Sequence, residues 1–268
     1  MMQVIWAMLL RDLRHEASYK LAFLMQLLGS FHVFVLFLFL SRMFTGLPVQ
    51  SLQKYGGSYF PFVLTGIAVQ HYLFIALNTF SGQLREAQMM GTFEAVLVCP
   101  VPVPVYLAGS VLFSFVLNTF HIVIFLLAGA LMGVFRLSVG QLPQLALVLG
   151  LSAATFSSIG ILTASYCVVF KKGNPVAWLL TISSSLLGGV YFPCTVLPQW
   201  LQSVSAWVPM THCLEALRGT LLLGKDLRGI EGSLAILGIW SLVGLPLSGL
   251  TFLWAVRRGK RTGSLGHY

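Results

Sequence analysis

The chain has 268 residues, 57% of them hydrophobic and 9% charged, with a mean hydropathy of +0.87. A soluble domain carries about 25% charged residues, so this composition excludes a soluble enzyme or binding module. The formal net charge of +9 would point to nucleic acid in a soluble protein. Here it points to basic cytoplasmic loops and anionic lipid.

A charge at the bilayer centre costs about 2.5–3.5 kcal/mol on insertion scales. A crossing helix needs about 20 apolar residues. Crossings therefore belong in the uncharged stretches. Before the first of these, residues 3–17 repeat Ile5, Leu9 and Leu13 at helical spacing, beside Trp6 and Met8. Arg11, Asp12, Arg14, His15 and Glu16 follow. The pattern predicts an amphipathic helix lying on the inner leaflet, the alternative being a frayed, charged lead-in. The first ten residues carry no basic charge, the wrong order for a cleavable signal peptide.

Spans are predicted at 21–43, 59–82, 103–132, 142–169, 175–192 and 233–256. The expected fold class is an all-α membrane protein with six transmembrane helices, in a single domain over 1–268. The prolines of "CPVPVPVY" remove backbone donors and delay the third span to about Val103. Residues 193–225 resist assignment as a seventh span. Pro193, Pro198 and Pro209 break them, and Trp200 and Trp207 favour the headgroup level. They are read as short re-entrant helices in the outer interface. Arg11, Arg14, Arg85, the "KKGN" turn and the "RRGKR" tail then share one side. The bias of Lys and Arg makes that side, with both termini, cytoplasmic.

Segment 85–100, "REAQMMGTFEAVLVCP", stands out because it carries Arg85, Glu86 and Glu94 between long uncharged stretches. Met89, Met90, Phe93, Val96 and Leu97 fit one apolar helical face. Gly91 suits the end of the preceding helix, and Thr92 suits the N-cap of a new one. Glu94 falls in that helix's first turn and Pro100 stops it. The result is a short amphipathic helix on the inner face, apolar enough to seat in a groove on another protein. The plainer alternative is an interfacial helix that merely ends a span.

"REAQMMGTFEAVLVCPVPVPVYLAG" resembles the E…GT.E.LL..P motif of ABC-2 type ABC-transporter permeases. "GGVYFPCTVLPQWLQSVSAWVPMTHCLEALRG", 188–219, is similar to that family's segment before the last span. The resemblance covers nearly the whole chain; it departs at "VCPVPVP", where the family usually has polar or basic residues. It implies that 85–100 is a coupling helix docking on a separate cytoplasmic ATPase, with Glu86, Gly91, Thr92, Phe93, Glu94 and Pro100 as coupling residues. It further implies an outer gate of re-entrant helices carrying Tyr191, Phe192, Pro193, Pro198, Trp200, Pro209, Glu215 and Arg218. The expected partners are the ATPase, a second permease chain (identical or different) and membrane lipids, with no nucleic acid. The expected location is the inner or plasma membrane.

The implied function is the permease subunit of an ATP-driven exporter of an amphipathic cargo: a lipid, a lipid-linked glycan or a drug. The chain has no GxxxxGK[ST], GxSxG, HExxH or CxxC. It is therefore read as non-enzymatic, with no cofactor or metal of its own, ATP and Mg being held by the partner. The alternatives are a membrane tethering subunit without transport and, against the absence of Asp and Glu from the spans, an intramembrane enzyme.

Other polar residues have two readings each. His32, His71, His121, Gln70, Asn78 and Asn118 either line a route or join helices. Gly150, Ala154 and Ser158 suit packing within the chain, whereas Thr181, Ser185 and Gly189 suit a dimer face. Tyr191, Phe192, Trp200 and Trp207 form either an interface belt or the gate. Glu215 and Arg218 are spaced to pair on one helix face. A Cys194–Cys213 disulfide is chemically allowed on the outer side.

Overall fold

The computed structural model describes residues 50–89, 103–135, 138–170 and 175–261 continuously, with 6–10, 14, 21, 25, 32 and 35–42. All regular structure among them is helical. The long helices follow the uncharged stretches: α1 is Tyr59–Met89, α2 Val103–Leu131, α3 Leu142–Phe170 and α4 Pro175–Leu187. After them come the short α5, Gln199–Ser205, then α6, Pro209–Leu221, and α7, Leu227–Arg261. Residues 6–10 and 14 are helical within the expected 3–17 helix, as are 21, 25, 32 and 35–42 within the expected first span.

Among the described residues, three helices are long and apolar enough to cross a membrane, over Tyr59–Gly82, Val139–Phe170 and Leu227–Gly259. Thr119–Leu131, within α2, and Pro175–Leu187 are shorter apolar stretches. The expected fifth span, 175–192, stops at Leu187. Its 13 residues reach about 20 Å at about 1.5 Å each, short of a hydrocarbon core of about 30 Å. Gly189, at φ 78°, turns the chain there.

α3 is the central helix. It packs along α7 and α1, α2 also packs on α1, and α6 is wedged among α1, α3 and α7. Lipid tails are as apolar as leucine, so such helices associate through close packing and interhelical hydrogen bonds. The small residues of α3 serve both needs. A Cβ on Gly160 would run into the Ala76 carbonyl of α1. Thr163 Oγ1 donates to Leu77 O on α1 at 3.3 Å, and Thr155 Oγ1 donates to Leu237 O on α7 at 3.1 Å. Ser158 faces Gly244 of α7 so closely that a Cβ there would lie 2.5 Å from its hydroxyl. The packing role expected of Ser158 is therefore intrachain, as read from its spacing. Gly150 instead faces open space.

Two substitutions in α3 separate these contributions. Gly160→Val forces α1 away and is expected to cost about 1–3 kcal/mol. Thr155→Val removes one interhelical hydrogen bond and should cost about 0.6 kcal/mol. Reversible unfolding in mixed micelles measures both, and the opposite ranking would contradict this packing.

Candidate functional site

The region expected to form the outer gate is built around the end of α4. Gly189 occupies the left-handed position after the helix, and Val190 N–H closes back on Ser185 O at 3.2 Å. This is the six-to-one bond of a Schellman ending, which needs a residue without a Cβ penalty at its turn. The turn leaves the Gly189 and Val190 carbonyls pointing at α1 and α6 rather than along a helix. α1 accepts them closely because residue 66 is glycine: a Cβ there would meet the Val190 carbonyl and lie 3.1 Å from Arg218 Nη2.

Arg218 fills the space between these elements. It is only 2% exposed. Nη1 donates to Gly189 O at 2.9 Å, and Nη2 donates to Phe62 O at 2.9 Å and Val190 O at 3.3 Å. Nε donates to Thr65 Oγ1 at 3.2 Å. The guanidinium carbon lies 3.5 Å from the Phe62 ring centroid and 5.6 Å from that of Tyr55. Carbonyl dipoles and aromatic faces thus replace a counter-ion. Burial pulls the guanidinium down to about 9, with Tyr55 the largest opposing influence, so it keeps its charge at neutral pH. Burial likewise raises the Tyr55 hydroxyl, and Arg218 partly offsets this.

The expected Glu215–Arg218 pair does not form. Both lie on α6, but Arg218 turns inward while Glu215 faces solvent, its carboxylate 4.0 Å from His212 Nδ1 and 3.5 Å from Ser233 Oγ. Three-residue spacing permits a pair; the open carbonyls of the turn offer Arg218 more hydrogen bonds than one exposed carboxylate can.

A polar ladder runs from this turn along α4 and α1. Tyr191 Oη donates to Gln70 Oε1 at 2.8 Å, Gln70 Nε2 to Ser185 Oγ at 2.8 Å, and Ser185 Oγ to Thr181 O at 2.6 Å. Phe37 stacks on Tyr191 with centroids 6.1 Å apart. Thr181, Ser185 and Gly189 are thus buried against α1 and α6, and the dimer-face reading of this stripe is overturned. Its small residues serve the ladder and the turn. Gln70 joins helices, and Asn78 Nδ2 donates to Phe74 O on its own helix at 2.8 Å. His32 is exposed, His71 half-buried and His121 buried.

The short helices α5 and α6 are tied to the same turn. Ser205 Oγ, at the end of α5, donates to Leu187 O at 2.6 Å. Thr211 Oγ1 on α6 donates to Ser205 O at 2.8 Å. Pro193 precedes the 3-10 turn Cys194–Val196, Pro198 precedes α5, and Pro209 opens α6, where a missing N–H costs nothing. Of the four aromatics, Tyr191 and Phe192 are both half-buried, Tyr191 tied inward through its hydroxyl. Trp200 and Trp207 stand 68% and 77% exposed, as anchors at an interface would. Cys194 and Cys213 are both free. Cys213 Sγ, buried, accepts from Ser152 Oγ at 2.9 Å, while Cys194 Sγ donates to Leu187 O at 3.3 Å. Sequence reasoning missed Gly66 and Thr65 as parts of this site. Their signal was faint, a small and a hydroxyl residue side by side in an apolar span.

At the far end, α1 continues beyond its apolar span to Met89. Its 31 residues measure about 46 Å at about 1.5 Å each, against a hydrocarbon core of about 30 Å. Glu86 lies in this extension. Gly91, Thr92, Phe93, Glu94 and Pro100 lie outside the described residues.

These features define a multi-pass helical membrane protein in which the short helices α5 and α6 fold back onto the core. The chain belongs to the ABC-2 type transporter family, which it matches over residues 2–222. It is 27% identical over 164 residues to "Inner membrane transport permease YadH" of Escherichia coli (strain K12), covering 61% of this chain and 63% of YadH. The matched part is thus under two thirds of YadH's length. "Nodulation protein J" of Rhizobium leguminosarum bv. viciae is 24% identical over 236 residues, 86% of this chain and 87% of that protein. "Putative transport permease YvfS" of Bacillus subtilis (strain 168) is 23% identical over 140 residues, 51% and 56% respectively.

Gly66→Ala tests the notch that admits Arg218. It should lower the unfolding temperature in detergent markedly, because the new methyl displaces the Val190 carbonyl and the guanidinium together. Tyr191→Phe removes one ladder bond and should cost about 0.5–1.5 kcal/mol. A Gly66→Ala protein as stable as wild type would contradict the site as described.

Proposed function

We propose that this chain is the permease subunit of an ATP-driven exporter and carries an amphipathic cargo outward. Energy comes from a separate cytoplasmic ATPase. The observation that carries the reading is membership of the ABC-2 type transporter family over residues 2–222. The names of YadH and YvfS as transport permeases favour it. So does the extension of α1 past its apolar span, which takes Glu86 out of the hydrocarbon core and leads directly into "GTFE".

In this reading the chain crosses the inner or plasma membrane six times with both termini cytoplasmic, and two permease chains assemble. Closure of the ATPase dimer pushes on segment 85–100. α1 transmits the push as a rigid rod, since one helix joins that segment to Phe62, Thr65 and Gly66. The outer turn and re-entrant helices, bound to α1 through Arg218, then move with it. Glu86 and Glu94 meet polar or basic groups of the motor, Gly91 and Thr92 set the start and angle of the coupling helix, Phe93 seats its apolar face, and Pro100 ends it.

Co-purification with the cognate ATPase tests this. Glu94→Arg should strongly reduce the ATPase retained per permease while the variant remains folded and membrane-inserted. Equal retention would remove Glu94 from the coupling surface. Failure of the wild-type chain to retain any ATPase would favour the tethering alternative over transport.

A further inference from the structure

α2 and α3 both pack on α1 but make little direct contact with each other. Between them lies a cavity of about 540 Å³ that reaches down to Tyr72 of α1. The α3 wall is kept low by Ala146, Gly150 and Ala153, and nothing lies within 4 Å of where a Gly150 Cβ would stand. The mouth opens past Val123 and Leu127 of α2, both part of that helix's exposed apolar surface. The cavity is thus continuous with the face the chain presents to the membrane.

Two features choose the occupant. The first is length. Along α3 the lining runs from Leu142 to Ala153, about 16 Å at about 1.5 Å per residue, and half of a hydrocarbon core of about 30 Å is about 15 Å. The second is polarity. The hydroxyls of Tyr72 and Thr119 at the floor face each other at 3.4 Å, and the other described lining side chains are apolar. A buried water needs about two to four polar partners, and the two hydroxyls at the floor, facing each other, leave the rest of the cavity without any. Hydrocarbon of one leaflet's depth fits both features.

We propose that this cavity holds one acyl chain of a bilayer phospholipid. The lipid belongs to the leaflet on the side of the α3 N-terminus. That side also carries the outer turn, since Gln141 Nε2 just before α3 donates to Thr220 O of α6 at 3.2 Å. The chain fills the wedge that α2 and α3 leave open and packs where a third helix would. The proposal does not rest on the transport reading.

Photolabelling tests it. The full chain is reconstituted into phosphatidylcholine nanodiscs containing a trace of phosphatidylcholine with a diazirine at the end of one acyl chain. Adducts are mapped by peptide mass spectrometry. The expected result is several-fold more labelling on the cavity wall, around Thr119 and Gly150, than on the exposed α7 positions Leu242 and Leu250. Gly150→Phe fills the open space and should abolish that excess while α7 labelling persists. Ala146→Phe, on the same wall, does the same should Gly150→Phe fold poorly. Equal labelling of the cavity and α7 in wild type, or an excess that survives the filling substitutions, would overturn the proposal.

Discussion

A guanidinium buried without a carboxylate is the constraint from which the fold-back after α4 follows. Removing an arginine's charge from water is costly unless its donors are taken up. Arg218 finds acceptors only where the backbone has left the helical pattern, at Gly189 and Val190, together with the first turns of α1 at Phe62 and Thr65. That requirement sets the position of the turn after α4, the glycine at 66, and the aromatic faces of Phe62 and Tyr55 beside the charge. The turn's Leu187 carbonyl in turn receives Ser205, which fixes α5 and the start of α6. One side chain therefore joins the long apolar helix α1 to the short helices α5 and α6.

α1 gives this junction its reach. The same uninterrupted helix holds the Arg218 acceptors near its start, the Gln70 ladder near its middle and Glu86 near its end. Within the spans, most hydroxyls bond back to their own helix, as Ser157 does to Ala153 O and Ser165 to Ile161 O. Such groups are satisfied locally and mark no route. The ladder of Tyr191, Gln70 and Ser185 is different because it crosses between elements, and so it holds the fold-back against α1.

Much of the helical layout was legible because charge avoidance in a membrane is strict. The predicted 59–82 matches the apolar part of α1, and 142–169 differs from α3 by one residue at its end. The fifth span was overextended because apolar residues continue through "GGVYF" while the backbone has already turned at Gly189. Hydropathy does not register a left-handed glycine. The small-residue spacing in α4 gave the right residues and the wrong partner. Periodicity marks a close-packed face, and only the tertiary arrangement says that α1 and α6 cover it. Arg218 was drawn from the sequence with its neighbour Glu215, since spacing is visible there and the acceptors, distant in sequence at 62, 65, 189 and 190, are not.

The central claim is that Arg218 is held by backbone carbonyls and not by Glu215. Unfolding free energies of wild type, Arg218→Met, Glu215→Gln and the double variant test it in a single double-mutant cycle. The account predicts that Arg218→Met costs more than about 2 kcal/mol, because buried carbonyls lose their donors. It predicts that Glu215→Gln changes stability by less than about 0.5 kcal/mol, as a surface substitution does, and that the two effects add. A large cost for Glu215→Gln, with strong coupling to Arg218, would contradict it and restore the ion pair as the bond that holds α6 in place.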